Sequence, residues 1–500
     1  MNLPQDFGDA SQIAVPSIRH PRGLYALFFT EMWERFSYYG MRALLVLFMV
    51  DAINTGGMGL TDKIATSIYG LYTATVYLMS LPGGWLADRI LGSQRAVWWG
   101  GIIIAIGHFT LAIPQVQTFY LGLVLVAIGS GILKPNMSVM VADLYPEGGA
   151  RRDAGFTIFY MGVNLGAAIG PLICGLLAKH LGWHYGFGAA GVGMVLGLIQ
   201  FRFSRHLLGD AGRDRGNPAD LHPFEGAGLI CAIVALVLVA GLGMAGILHF
   251  NPVALAQYMA YLLLAISVFF FAWLFLFAGL DTLEKERVAI ILVLFLTSAI
   301  FWAGFEQAGS SFNLFAERFT NRAVPGFKHD IPSAWFQACG PVFIIAFAPV
   351  FAALWVRLAR RNLDPSIPVK FAFGLLLLAA GFVVMAGASR IVAAGYHAAP
   401  FWLISTFLIH TFGELCLSPV GLSSVTKLAP KRLVGQLMGT WFLATSLGNL
   451  LAGLLAGEFK TDALLQWPVL YMKITILPTI AGVLLIAGAR PMKKWMGDVK

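Results

Sequence analysis

Glu31, Glu34 and Arg35 stand together in the stretch EMWERFSYYG, followed by Tyr38, Tyr39 and Arg42, all inside an apolar run from Leu24 to Val50. Ionised groups at membrane depth cost free energy unless each finds a partner or water, so they mark places where charge is bound or moved. The chemistry open to them is proton uptake and release coupled to the making and breaking of ion pairs. A purely structural ion-pair network is the alternative, because the four formal charges cancel.

Three more ionisable residues lie in apolar runs: Lys134 in GSGILKPNMS, Glu306 in FWAGFEQAGSS and Glu414 in HTFGELCLSPVGLSS, where Ser418 follows one turn later beside Pro419. Tyr69, Tyr160 and Asn164 add polar groups to neighbouring runs. The first half of the chain thus offers Arg35, Arg42 and Lys134 against Glu31 and Glu34, whereas the second offers Glu306 and Glu414 alone. A cavity between two such halves would be positive on one wall and negative on the other, which suits a zwitterion with its carboxylate and amine pointing opposite ways.

Other chemistries lack their residues. Cys174, Cys231, Cys339 and Cys416 are isolated, the ten histidines show no HExxH spacing, and no GxxxxGK[ST] phosphate loop occurs. No metal, no cofactor and no enzymatic activity are expected. GLGMAG at 241–246 matches GxGxxG but sits in an apolar run without a preceding strand, so it reads as small residues easing helix contact.

These residues need elements that hold them inside a bilayer. Charged residues make up 12% of the 500 and hydrophobic ones 58%, against roughly 25% and 45–50% in soluble proteins. About fourteen apolar runs are long enough, at roughly 20 residues, to cross the hydrocarbon. The expected fold class is an all-α polytopic membrane protein, with 63–87 and 287–316 each read as one spanning helix. At about 100° per residue, Glu31, Glu34, Arg35, Tyr38, Tyr39 and Arg42 share roughly 140° of one helix face, which must point inward. Counting depth from the helix ends brings Lys134 to the level of Glu31 and Glu34, and Arg42 to that of Glu306. Pro135 frees the carbonyl of Gly131 and suits a bend beside a cavity. Gln307, Ser310 and Ser311 around Glu306 read as a water-accessible face. Gly162, Gly166 and Gly170 form a close-packing stripe, and Asn164 on the same helix reads as a substrate contact.

The formal charge of +9 does not signal nucleic acid, since the basic residues fall in alternate connections, as the positive-inside rule requires. The segment 317–330, with Arg318, Arg322 and Lys328, is the exception. The first twenty residues lack an apolar core, so no signal peptide is expected, and both termini are expected in the cytoplasm. Polar stretches divide the chain into a cytoplasmic N-terminal segment 1–23, a six-helix bundle 24–206, a cytoplasmic linker 207–222, a two-helix insertion 223–283, a second six-helix bundle 284–490 and a cytoplasmic tail 491–500.

EMWERFSYYG, GILKPNMS, FYMGVNLGAAIGP, FWAGFEQ and GELCLSPVGLS together resemble the proton-dependent oligopeptide transporter family of the major facilitator superfamily, and GGWLADRILGSQR resembles the superfamily's loop between the second and third helices. The resemblance implies a major facilitator fold of two six-helix bundles plus a two-helix insertion, about fourteen transmembrane helices in all. It also implies a monomeric, multi-pass protein of a bacterial inner membrane that carries di- and tripeptides with protons by alternating access. The proton gradient would be its energy source and the lipid bilayer its surroundings. By the same resemblance Glu31, Glu34 and Arg35 form an ExxER motif that pairs with Lys134, which also contacts the peptide carboxylate together with Arg35. Arg42 and Glu306 form an outer gate coupled to protonation. Glu414 holds the peptide amine, and Tyr38, Tyr39, Tyr69, Asn164, Ser418 and Trp441 line the binding cavity. One departure is Gly340 in QACGPVF, where many members carry asparagine. A transporter of the same superfamily for nitrate or drug-like solutes is the first alternative, and an intramembrane enzyme the second.

Overall fold

The computed structural model describes residues 19–147, 149–213, 251–324, 330–459 and 463–497. The GLGMAG stretch, the helix expected over 224–249 and most of the linker lie outside them. Among the described residues the only β pairing is one bridge between Thr320 and Ala398; everything else regular is helical.

The first half comprises α1 (Arg22–Val50), α2 (Asp62–Leu78), α3 (Ser80–Leu86), α4 (Ser93–Leu111), α5 (Val116–Asp143), α6 (Gly149–Leu181) and α7 (Trp183–Ser204). One helix of the insertion is described, α8 (Pro252–Phe277). The second half comprises α9 (Thr282–Phe305), α10 (Ser311–Phe319), α11 (Cys339–Arg360), α12 (Ile367–Ala393), α13 (Pro400–Leu428), α14 (Val434–Ala456) and α15 (Trp467–Met496). Eleven spanning stretches are recognisable by length and apolar content alone among the described residues. α1 is not one of them, because its charges interrupt the apolar run; its 29 residues nonetheless reach about 43 Å, enough to cross.

Local signals set the helix starts. Asn251 caps α8 through Val253 and Ala254 and is followed by Pro252 in the first turn. Asp281 and Glu284 form a reciprocal capping box at α9. Two helices read as continuous are broken. The 63–87 helix divides into α2 and α3 and then a wide turn over Ala87–Leu91. The 287–316 helix divides at a tight turn over Glu306–Gly309, where polar side chains compete for the backbone. Gln307 donates to the carbonyls of Ala303 and Ala452, and Ser311 Oγ donates to Gln307 Oε1. These groups are fully buried, so the expected water-accessible face is instead a polar seam within the protein.

Buried apolar side chains form two cores. One runs from Leu24 to Leu208 and is joined by Leu314 and Ala334; the other runs from Ala256 to Met496 and is joined by Ala74. Within the first core the glycine stripe of α6 lies on α1, and a Cβ at Gly166 would stand 2.0 Å from the Met32 carbonyl. Such contact is open only to glycine, and it fixes the charged face of α1 towards the second half.

The halves are joined near one face, which carries the described loop residues 51–61, 320–324, 330–333, 457–459 and 463–466. There Arg318 makes a two-pronged pair with Asp62 at 2.7 and 2.8 Å, Asn313 donates to Ala43 O at 2.8 Å, and Trp335 Nε1 donates to Leu172 O at 3.0 Å. α2 and α14 meet at Gly70 and Gly453, where a Cβ on Gly453 would lie 2.4 Å from the Thr66 carbonyl. The polar contacts between described residues of the two halves reach no deeper than Ser446 Oγ on Ala74 O at 2.9 Å. Towards the opposite face, where both described chain ends lie, Gly84 and Gly435 have nothing within 4 Å of a Cβ. Tyr160, well inside the span of α6, is 39% exposed. The cleft between the halves therefore opens on the face of the chain ends.

Candidate functional site

α1 brings six of the expected residues to the cleft: Glu31, Glu34, Arg35, Tyr38, Tyr39 and Arg42. Arg35 Nε donates to Glu31 Oε1 at 2.7 Å and lies 2.8 Å from Glu34 Oε2 without hydrogen-bond alignment. The three side chains are almost wholly buried, and Glu31 Oε2, both Glu34 oxygens and Arg35 Nη2 have no hydrogen-bond partner. Two carboxylates thus share one guanidinium, leaving a net negative charge and unused bonding capacity in a dry setting. The i, i+4 spacing of Glu31 and Arg35 makes this pair available on the helix itself.

Lys134 does not make the expected contact with these carboxylates. No carboxylate oxygen lies within 4.0 Å of it among the described residues, although Glu34 and Glu31 are both in its electrostatic neighbourhood. Its Nζ sits 3.6 Å from the centre of the Tyr77 ring instead, a cation–π contact. Arg35, held on the same helix as the acids, takes one oxygen of each at 2.7 and 2.8 Å and leaves the others unpaired, while the Lys134 ammonium is met by the ring face of Tyr77. The bend at Pro135 is packed firmly. The Gly131 carbonyl, which the proline frees, would lie 2.2 Å from a Cβ on Gly83, and Asn136 bridges Ser93 and the Ile132 carbonyl.

Eleven residues along from Glu31, Arg42 forms a buried ion pair with Glu306 at the break between α9 and α10. Its Nε also donates to Tyr69 Oη at 2.6 Å, and the guanidinium lies over the rings of Tyr39 and Tyr69 at 5.3 and 5.6 Å. The turn Glu306–Gly309 closes so tightly on Tyr69 that a Cβ at Gly309 would overlap its hydroxyl. Tyr38 stacks on Tyr72 and receives Arg35 over its ring at 5.8 Å.

The opposite wall is sparse. Glu414 is 8% exposed, its Oε2 has no hydrogen-bond partner, and no cation lies within salt-bridge distance of it among the described residues. Tyr160, Tyr39 and Glu306 are its ionisable neighbours. Asn164 Nδ2 donates back to the Tyr160 carbonyl at 2.9 Å, so its amide is turned on its own helix. Ser418 is half-buried one turn beyond Glu414. Trp441, expected in the cavity, is 93% buried against Gly421 and Phe371. It is held by small-residue packing within the second half.

Sequence reasoning did not single out Tyr72 or Tyr77. A signal was available for the first: Tyr69 and Tyr72 recur one turn apart on an apolar helix. Among the described residues no cluster of metal ligands occurs, and Cys174, Cys339 and Cys416 are free.

Two bundles closing a polar cleft, one wall rich in cations and the other carrying a solitary buried acid, are the build of a major facilitator membrane transporter. The POT family's sequence model matches residues 94–466. The chain is 43% identical to "Peptide transporter YePEPT" of Yersinia enterocolitica over 96% of each chain. It is 35% identical to a "Di-/tripeptide transporter" of Lactococcus lactis, over 96% of this chain and 97% of that one. A crystal structure of a glutamate-to-glutamine mutant of a peptide transporter POT, in complex with alafosfalin, superposes with a TM-score of 0.87 at 40% identity, covering 96% of each chain. One of a POT family transporter in complex with 5-aminolevulinic acid superposes with a TM-score of 0.85 at 33% identity, over 95% and 97%. The chain belongs to the POT family of integral membrane transporters.

Proposed function

We propose that this protein is a proton-coupled symporter of di- and tripeptides that works by alternating access as a monomer. It would sit in the cytoplasmic membrane of a bacterium with the face of the chain ends inside, so that the described state is open inward. The observation that carries the reading is the position of Glu414, a buried carboxylate without a cation, across the cleft from Arg35 and Lys134. A free amine would complete the former and a free carboxylate the latter, and a short peptide carries both at its ends.

In the cycle that this suggests, protons from outside reach Glu306 and the carboxylates of Glu31 and Glu34. Neutralising Glu306 removes the partner of Arg42, and the loop face can part. Neutralising an acid beside Arg35 frees the guanidinium for the peptide carboxylate, with Lys134 sharing the load, while Glu414 holds the amine. Tyr38, Tyr39, Tyr69, Asn164, Ser418 and Trp441 are assigned to the cavity around it. Closure at the loop face re-forms the Arg42–Glu306 pair, and release of peptide and proton inward resets the ExxER pairs. No cofactor enters this scheme; the gradient drives it.

The test is uptake of labelled dialanine into proteoliposomes under an inward proton gradient. Accumulation above equilibrium supports the reading. No uptake, together with uptake of a non-peptide solute, would overturn it.

A further inference from the structure

α11 is sparsely packed; of its 22 residues only Gly340 and Ile344 are buried. Among the described residues, a Cβ built on Gly340 would meet a single atom within 4 Å, Thr411 Oγ1 of α13 at 3.9 Å. A buried glycine whose side-chain direction is nearly empty marks a void, in contrast to most glycines of this fold, whose Cβ positions are blocked by backbone or side chains closer than 3.4 Å. The void has a fixed address. Thr411 precedes Glu414 by three residues on α13, which puts both on one helix face. Thr411 Oγ1 donates to the Phe407 carbonyl at 2.7 Å, so the atom that borders the void is a hydroxyl oxygen whose proton is already bonded. On the other side α11 leads back to Trp335, anchored on the Leu172 carbonyl of α6. That anchor holds the start of α11 in place and stops the void from closing by drift.

We propose that Gly340 opens a subsite for the side chain of the amino-terminal residue of the transported peptide, giving this transporter tolerance for bulky first residues. The inference rests on the assignment of Glu414 to the peptide amine. In a peptide that side chain is attached to the same carbon as the amine, so a ligand held by Glu414 must direct it within a few ångströms of the carboxylate. Space on the Thr411 side of Glu414 is therefore first-residue space, and side chains at Gly340 would fill it.

The experiment is competition against labelled dialanine uptake in proteoliposomes, using the reversed pair Phe-Ala and Ala-Phe, which share composition, size and charge. The readout is the ratio of their inhibitory concentrations in the unmodified protein, in Gly340→Ala and in Gly340→Val. The expected result is a ratio that shifts against Phe-Ala by at least about tenfold in Gly340→Val, the scale of a filled apolar pocket, with Gly340→Ala between. An unchanged ratio, or a shift against Ala-Phe, would overturn the subsite. If Gly340→Val does not fold, Gly340→Ala still decides, because its added carbon makes only ordinary contact. Absence of dialanine uptake by the unmodified protein would overturn the peptide reading and the subsite together.

Discussion

Arg42 of α1 and Glu306 at the end of α9 form a buried ion pair across the two halves of the protein. Tyr69 binds the same guanidinium, and Gly309 lets the turn after Glu306 fold onto Tyr69. The ion pair thus belongs to one unit of four residues from two helices and a turn. Removing its charge should change the equilibrium between open and closed states more than it changes the fold.

Glu306→Gln keeps the shape and removes the charge. The variant should exchange peptide across the membrane, measured by counterflow with peptide on both sides. It should fail to accumulate peptide under a proton gradient, because the proton no longer alters the gate. Gradient-driven accumulation at the unmodified level would remove Glu306 from coupling.

Lys134 rests on Tyr77 with no carboxylate in contact, close to acids that one arginine serves. Lys134→Ala should abolish gradient-driven uptake, since nothing else neutralises the surplus carboxylate when Arg35 turns to substrate. Near-normal accumulation would mean that Arg35 suffices alone.

Glu414→Gln replaces a charge-assisted contact to an ammonium by a neutral one, and should weaken dialanine binding by at least about tenfold. The same change should leave N-acetyl-dialanine, which has no ammonium, equally weak in both proteins. Equal losses for both ligands would place the amine elsewhere.

Asp62 and Arg318 latch the loop face with both side chains less than a third exposed, a pair worth about 0.2–1 kcal/mol. Asp62→Asn should shift the population several-fold towards a parted loop face. Spin labels at Ile53 and Tyr396, exposed loop positions in different halves, should report a longer distance between them. An unchanged distance distribution would show the latch to be idle.

Gly309→Ala should lower the thermal midpoint of the purified protein by an overpacking penalty of about 1–3 kcal/mol. Gly84→Ala, which meets nothing within 4 Å, should be neutral or slightly stabilising, as expected of an open helical site. Equal midpoints for both variants would mean that Tyr69 moves aside freely.

Depth counting along the chain put Arg42 level with Glu306, and the structure joins them, because helices that cross one bilayer share a ruler of 1.5 Å per residue. The same counting put Lys134 level with Glu34 but could not say which cation the acids would hold. That was decided by placement: Arg35 lies on the helix that carries the acids and reaches one oxygen of each, whereas Lys134 approaches from another element and settles on the Tyr77 ring. The break after α9 was equally hidden. Its cause is a set of contacts, Gln307 to Ala452 and Gly309 against Tyr69, between residues far apart in sequence.

The sequence by itself determined the helices, their order and the face of α1 that carries charge, because apolar length and 3.6-residue periodicity are local properties that a bilayer reads directly. The tertiary structure alone decided which face of the molecule is closed, where Trp441 and Asn164 turn, and that space is left at Gly340. Those follow from how two cores of similar helices tilt against each other, and several tilts bury nearly the same apolar surface. A transporter requires such near-equal alternatives, and a periodic pattern cannot rank them.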